Sequence, residues 1–325
     1  MDTVILHLVL LFDSHFASRI LFENIICISS SVILIFLATQ QKRRLTKLLK
    51  TLQFLFPLEW KRKINYAVIC ICCLPFTYGF AMVFANIEFP DEFEFKFLCY
   101  GIVIENKAIT YLIAYYKYSM FYLLHPSLTN LVALTYCISC QICSKSLQQL
   151  SSDMKKYDPI KFSTKIQTDF QMNRNRIIKV LEEIQEIFSK ASLVICIGNF
   201  MSCFSNLGEL IFYSPKRIAL ILIDVIFLST STLVTLLSIF YSAGQVPLEL
   251  NKFSRINRKQ CQKRAFLGEI EENAQLDRML LQEETFVLSG CEMIYFTRSG
   301  ILTVLGTLLT YGLLVVSVDL KKENK

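Results

Sequence analysis

The sequence predicts an all-α integral membrane protein: one domain of seven transmembrane helices, with the N-terminus cytoplasmic and the C-terminus extracellular. Three observations predict it. Hydrophobic residues make up 53% of the 325-residue chain and charged residues only 19%, and the mean hydropathy is +0.44. Apolar stretches recur at the length that crosses a bilayer, about 20 residues at 1.5 Å rise against roughly 30 Å of hydrocarbon. The connecting segments alternate between basic and acidic, and basic loops stay on the cytoplasmic side.

The N-terminal run, residues 3–18, is the weakest span, because Asp13-Ser14-His15 interrupts it. No basic segment precedes it and no small-residue cleavage site follows, so it is read as a shortened first span rather than a signal peptide. The second span covers 19–39. Loop 40–63 carries eight Lys and Arg against Glu59 and is placed in the cytoplasm. The third span, 64–86, leads to an outer loop holding Glu88, Asp91, Glu92 and Glu94 against Lys96. Loop 145–186 again carries eight basic residues, so an even number of spans separates it from 40–63. Residues 97–112 are therefore an outer loop, and 113–144 is one span kinked near Pro126. Spans 187–213 and 217–242 join through an outer turn at Ser214-Pro215-Lys216. Cytoplasmic loop 243–295 opens with the basic cluster Lys252 to Arg264, and the last span is 296–318. The net charge of +7 is thus a topology signal, and nucleic-acid binding is not expected of basic residues placed beside spans.

The spans are not uniformly apolar. In 187–213, Asn199, Ser202, Asn206, Glu209 and Tyr213 recur at steps of three and four, which puts them on one helical face. Span 217–242 carries Asp224 and then Ser231, Thr235, Ser238 and Ser242. Ionisable groups inside a membrane are costly and face the bundle interior or a water-filled cavity. Glu209 and Asp224 fit two uses: structural pairing with Arg217, Lys216 or Lys117, or polar walls of a ligand pocket in the outer half. In the second use Asn206, Tyr213, Tyr78 and Tyr116 would line the pocket with them, since small-molecule sites are mostly apolar and aromatic with a few directed polar groups. Segment Asp169–Phe188 reads as an amphipathic helix with Ile177, Val180, Leu181, Ile184 and Phe188 on one side. Leu276–Phe286 has a similar character, and together they suggest a packed cytoplasmic base.

The last span carries a second stripe: Thr303, Thr307, Thr310, Leu314 and Ser317 share one face. Lipid offers hydroxyls no partner, so the stripe faces either other helices or a water-lined path. No cofactor or metal site is expected. Cys137, Cys140 and Cys143 have no His or carboxylate beside them, and His7, His15 and His125 have no ligand spacing. Without GxSxG, GxGxxG or Walker sequences, no catalytic residues are nominated and the chain is not read as an enzyme.

Gly290, then Phe296-Thr-Arg-Ser-Gly-Ile-Leu-Thr-Val-Leu-Gly, then Thr310-Tyr311 followed by apolar residues resembles the end of the insect gustatory receptors. That family ends on Thr-Tyr, five apolar residues and Gln-Phe; Ser317-Val318 stand here in place of Gln-Phe. The resemblance implies a chemoreceptor for small-molecule tastants, a ligand-gated nonselective cation channel. It implies a homo- or heterotetramer of related subunits among membrane lipids, joined at the cytoplasmic base. It further implies a plasma-membrane location in sensory neurons, in dendrite, axon and cell body. Thr303, Thr307, Thr310, Tyr311, Leu314 and Ser317 would then line the pore. The alternatives are a G-protein-coupled receptor, which the inverted topology disfavours, and a secondary transporter using Glu209 and Asp224.

Overall fold

The computed structural model describes residues 17–53, 58–88, 104, 106–158, 161–212, 218–266 and 286–323; side chains are described within 25–53, 62–88, 106–158, 161–207, 222–264 and 286–314 and at 104 and 266. Nearly all of it is helix. In chain order these are α1 (Ala17–Gln40), α2 (Lys42–Gln53), α3 (Leu58–Glu88), α4 (Lys107–Tyr122), α5 (Leu128–Lys156), α6 (Thr164–Phe212), α7 (Ile218–Phe266) and α8 (Arg298–Glu323). A two-stranded hairpin, β1 (Ser289–Gly290) and β2 (Ile294–Tyr295), precedes α8.

Four helical stretches among the described residues are long and apolar enough to cross a membrane: Arg62–Glu88, Lys107–Lys156, Thr164–Leu207 and Leu222–Arg264. The bent pair Ile25–Gln40 and Lys42–Gln53, at 72°, gives a fifth when its two helices are counted as one span, and Arg298–Leu314 is a shorter apolar helix. Residues 3–16, Tyr213, the turn 214–217 and 276–285 lie outside the described residues.

Side-chain contacts fix the direction of each helix. Asn206 and Cys203 of α6 meet Ser229 and Thr232 of α7, so these two run antiparallel. Asn130, Gln141 and Met154 of α5 meet Ser231, Ser242 and Gln260 of α7, so these run parallel. Ser31 of α1 reaches Leu124, and Arg44 in α2 pairs with Glu186 of α6. Tyr78 of α3 meets Asp224 near the start of α7, and Tyr311 of α8 meets Phe204 of α6. The helices therefore alternate in direction along the chain, as successive membrane passes do.

The expected kink stands between α4 and α5. Leu123–Ser127 widens into a π turn, and His125 is extended at φ −145° and ψ 122°. Pro126 explains it: the ring displaces the preceding residue from helical backbone and removes a donor. Around the break, span 113–144 becomes a longer pair of helices that starts at Lys107 and ends at Lys156.

α6 and α7 are each 49 residues long, about 74 Å at helical rise and far beyond one bilayer. Their surplus stands at the lysine-rich end, where segments 145–156, 164–186 and 243–266 are helix rather than loop. Leu181, Ile184 and Phe188 are buried there and Ile177 and Val180 pack against them, as the amphipathic pattern predicts. Farther out, Met154, Phe162, Phe253 and Cys261 form a separate small core. Gln260 donates to the carbonyls of Met154 and Tyr157, and Arg264 donates to that of Phe162. The Gln260 bonds meet carbonyls at the end of α5, and the Arg264 bond meets one in the connection to α6.

Candidate functional site

Between α3, α4 and α7, at the end of the bundle opposite the lysines, Tyr78, Tyr118, Tyr122 and Phe227 pack ring on ring. Tyr78 lies 4.7 Å from Tyr122, 5.7 Å from Phe227 and 6.3 Å from Tyr118, centroid to centroid. Offset and edge-on arrangements at these distances suit the ring quadrupoles. Close approach of α3 to α4 makes this possible: a Cβ on Gly79 would fall 2.2 Å from the Ser119 hydroxyl. Tyr78 is buried, and its hydroxyl donates to Asp224 Oδ1 at 2.6 Å. Such a short bond to a carboxylate is charge-assisted. Asn86, on the same side, donates to the Tyr118 hydroxyl at 3.4 Å.

Tyr122 and Phe227 continue this cluster into a groove of about 560 Å³ between α5 and α7, closed on one side by Ile71 and Leu74 of α3. Its walls are apolar at Leu134, Ile138, Ile226 and Val234, and polar where Asn130, Ser231 and Thr235 meet. Asn130 donates to Ser231 at 2.7 Å and accepts from Thr235 at 2.5 Å. Gln141 donates to Ser242 at 3.1 Å. The volume and lining are those of a small-molecule site.

Sequence reasoning found part of this. The α7 stripe of Ser231, Thr235, Ser238 and Ser242 does line the groove, and Tyr78 and Asp224 are brought together. Asn206 is buried but donates to Ser229 on another flank of α7. Tyr116 is 63% exposed and turned away from the cluster. Glu209 has no described side chain, and Tyr213 lies outside the described residues. Tyr122, Phe227 and Asn130 were missed. Tyr122 lies one helical step from Tyr118 on α4, the signal that could have selected it.

The second site is α8. Ile301, Val304, Leu308 and Tyr311 pack inward, with the Tyr311 ring 4.6 Å from Phe204. Thr303, Thr307, Thr310 and Leu314 are exposed roughly a hundred degrees around the helix from that face. Their hydroxyls bond back to the α8 backbone, Thr307 to Thr303 and Thr310 to Gly306 at 2.8 Å each. Leu302, Leu305, Leu309 and Leu313 form a third face, also exposed. Tyr311 thus belongs to the packed face, and Ser317 continues α8 without a described side chain.

The entrance to α8 is tightly held. Gln185 of α6 donates to the Ser289 carbonyl and hydroxyl at 2.8 and 2.9 Å, and its amide oxygen accepts from the Ser289 N–H at 3.0 Å. Ser189 accepts from the Cys291 N–H at 2.8 Å. Cys291 and Glu292 take positive φ of 50° and 58° to turn the hairpin. Phe296 is fully buried against Tyr136 and Phe240, and a Cβ on Gly244 would lie 2.8 Å from the Arg298 nitrogen. Among the described residues, no group of three His, Cys, Asp or Glu is placed to hold a metal ion.

Residues 105–325 match a family model described as "Trehalose receptor". No curated protein matches the chain. Among solved structures, the insect olfactory receptor OR5 from Machilis hrabei aligns at a TM-score of 0.60 and 14% identity, over 95% of this chain and 83% of that one. The same receptor in complex with eugenol aligns at 0.57 and 13% identity, over 97% and 86%. The olfactory receptor shows the same fold, and the family match over two thirds of the sequence settles kinship: the chain belongs to the trehalose receptor family, within the insect gustatory receptors.

Proposed function

We propose that this chemosensory receptor is a ligand-gated, nonselective cation channel of sensory-neuron plasma membranes, crossing the membrane seven times with the N-terminus cytoplasmic and the C-terminus outside. One observation carries the reading: α8 is packed on one face only, and Thr303, Thr307 and Thr310 stand exposed in line on another, each hydroxyl donating within the helix and keeping acceptor capacity that water can use. Four copies, identical or related, would bring these stripes to a common axis, with Leu314 as an apolar ring that gates by dewetting. Ser317 would extend the same lining. The family match favours this over the G-protein-coupled receptor and the transporter.

The ligand site would be the aromatic cluster at Tyr78, Tyr122 and Phe227, with Asp224, continuing into the α5–α7 groove. Its polar groups are largely engaged with one another, so few are left to meet a ligand with many hydroxyls. This favours a small, mostly apolar tastant with one or two hydrogen-bonding groups over a sugar such as the family description names. A ligand that fits the open arrangement better than the closed one shifts the population through α7 to the hairpin and α8.

The deciding experiment is whole-cell recording from the chain expressed in a null cell with G-protein signalling blocked, under perfusion with phenolic, terpenoid and sugar panels. A fast cation current evoked by the apolar compounds and abolished by Ser317→Trp is expected. Evoked current that survives Ser317→Trp would remove α8 as the pore, and current only to sugars would overturn the ligand class.

A further inference from the structure

The seam between α5 and α7 does not end with the apolar groove. Toward the lysine-rich end it opens into a second cleft of about 680 Å³. Lys145, Lys155 and Lys156 of α5 and Lys252 of α7 line it, against a single carboxylate among its lining residues, Asp153. Lys156 and Asp153 pair at 3.1 Å, and Lys252 pairs with Glu249 at 3.4 Å. Even with both acids counted, the cationic groups are in excess. Ser151 also lines the cleft, buried, with its hydroxyl unpaired.

The position of the cleft identifies its occupant. Gln141 borders the groove and Lys145 borders the cleft, one helical turn apart on α5. On α7, Lys252 and Ile256 continue the helical face that Val234, Ser238 and Tyr241 present to the groove. A molecule lying along this seam meets an apolar channel within the membrane and a set of ammonium groups where the membrane ends. That order of chemistry is the order within an anionic phospholipid. A soluble anion would use the lysines alone and leave the groove unaddressed.

We propose that the cleft is a binding site for the phosphorylated headgroup of an anionic phospholipid, with the acyl chains lying in the near end of the α5–α7 groove beside Ile138, Gln141 and Tyr241, and the tastant at its far end beside Tyr122 and Phe227. Several lysines against one or two acids favour a headgroup with phosphomonoesters over a single phosphodiester. Lysine near a membrane surface attracts anionic lipid strongly enough that three together control affinity. The site rests on the reading that this end faces the inner leaflet, and it does not require that the chain conduct.

The test uses the full chain purified in neutral detergent and a fluorescent short-chain phosphatidylinositol bisphosphate, followed by polarisation. Short-chain phosphatidylcholine and free inositol trisphosphate serve as competitors. We expect saturable binding that phosphatidylcholine does not displace and that inositol trisphosphate displaces only at much higher concentration. Replacing Lys145, Lys155 and Lys252 together by Gln should weaken binding at least tenfold. The same replacement at Lys165, Lys179 and Lys190, exposed on α6 outside the cleft, should leave it unchanged. Asp153→Asn, which removes the opposing charge, should tighten binding, a result that loss of structure cannot mimic. Equal weakening by both triple variants would reduce the effect to net charge and overturn the site. Competition by inositol trisphosphate as strong as that by the lipid would assign the cleft to a soluble anion instead.

Discussion

The bond between Tyr78 and Asp224 ties a helix that the sequence ends with Glu88 to one that begins at Ile218. Both residues could be picked out beforehand, the tyrosine as an aromatic near the outer end and the aspartate as an ionisable group in a span. Their pairing could not, because nothing in the local pattern says which helices are neighbours. Hydrogen bonds to charged groups contribute about 1.5–3 kcal/mol, and leaving Asp224 without this donor costs more than removing both partners. Tyr78→Phe should therefore raise the half-maximal ligand concentration at least tenfold and lower the melting temperature, while Tyr78→Phe with Asp224→Asn should recover part of the stability. A double-mutant cycle read by thermal melting checks this, and additive losses would remove the coupling. Tyr116 illustrates the converse: a sequence position among tyrosines looks equivalent to its neighbours, and only the helical phase turns it outward. At Gly79, adding a methyl would push against the Ser119 hydroxyl at 2.2 Å, so Gly79→Ala should destabilise the α3–α4 contact by about 1–3 kcal/mol, measurable as a lower melting temperature.

At the scale of elements, α8 is a helix with three different sides, and periodicity revealed one of them clearly. The threonine repeat was legible because four hydroxyl-bearing positions stand out in an apolar segment. The leucine side was not, since leucine is the background composition of any span. The structure adds the hairpin that delivers α8, which no periodic signal announces: two strands of two residues each are too short to leave one. Its attachment rests on Gln185, whose amide bonds Ser289 at three points. Gln185→Ala should leave that strand backbone short of partners and cost about 1–3 kcal/mol, with hydrogen exchange at Ser289 and Cys291 rising while α7 stays protected. Cysteine scanning tests the sides of α8 directly. Thr303→Cys, Thr307→Cys and Thr310→Cys should react with a charged, membrane-impermeant thiol reagent and block current, whereas Val304→Cys and Leu308→Cys should stay inert. Equal labelling of both sets would mean that α8 is not held by the face described.

Across the whole molecule, loop charge and parity of passes anticipated the alternating helix directions, including the single broken pass around Pro126. Polar residues keep α5 and α7 in register: Asn130 and Gln141 of α5 meet Ser231, Thr235 and Ser242 of α7, and Gln260 of α7 meets the Met154 and Tyr157 carbonyls. The sequence conveyed the extension of α6 through the amphipathic segment Asp169–Phe188, but not that of α7, which differs from a loop only in subtle periodicity. A protease-accessibility assay on intact cells follows from the orientation proposed above: a C-terminal epitope should be cleaved from outside, and one placed after Lys156 should be protected until the cells are opened. The one-sided attachment of α8 also has a genetic consequence. In the four-copy channel proposed above, a chain whose ligand site is damaged but whose α8 is intact would still enter the shared assembly and spoil the sound copies beside it, so such alleles should be dominant.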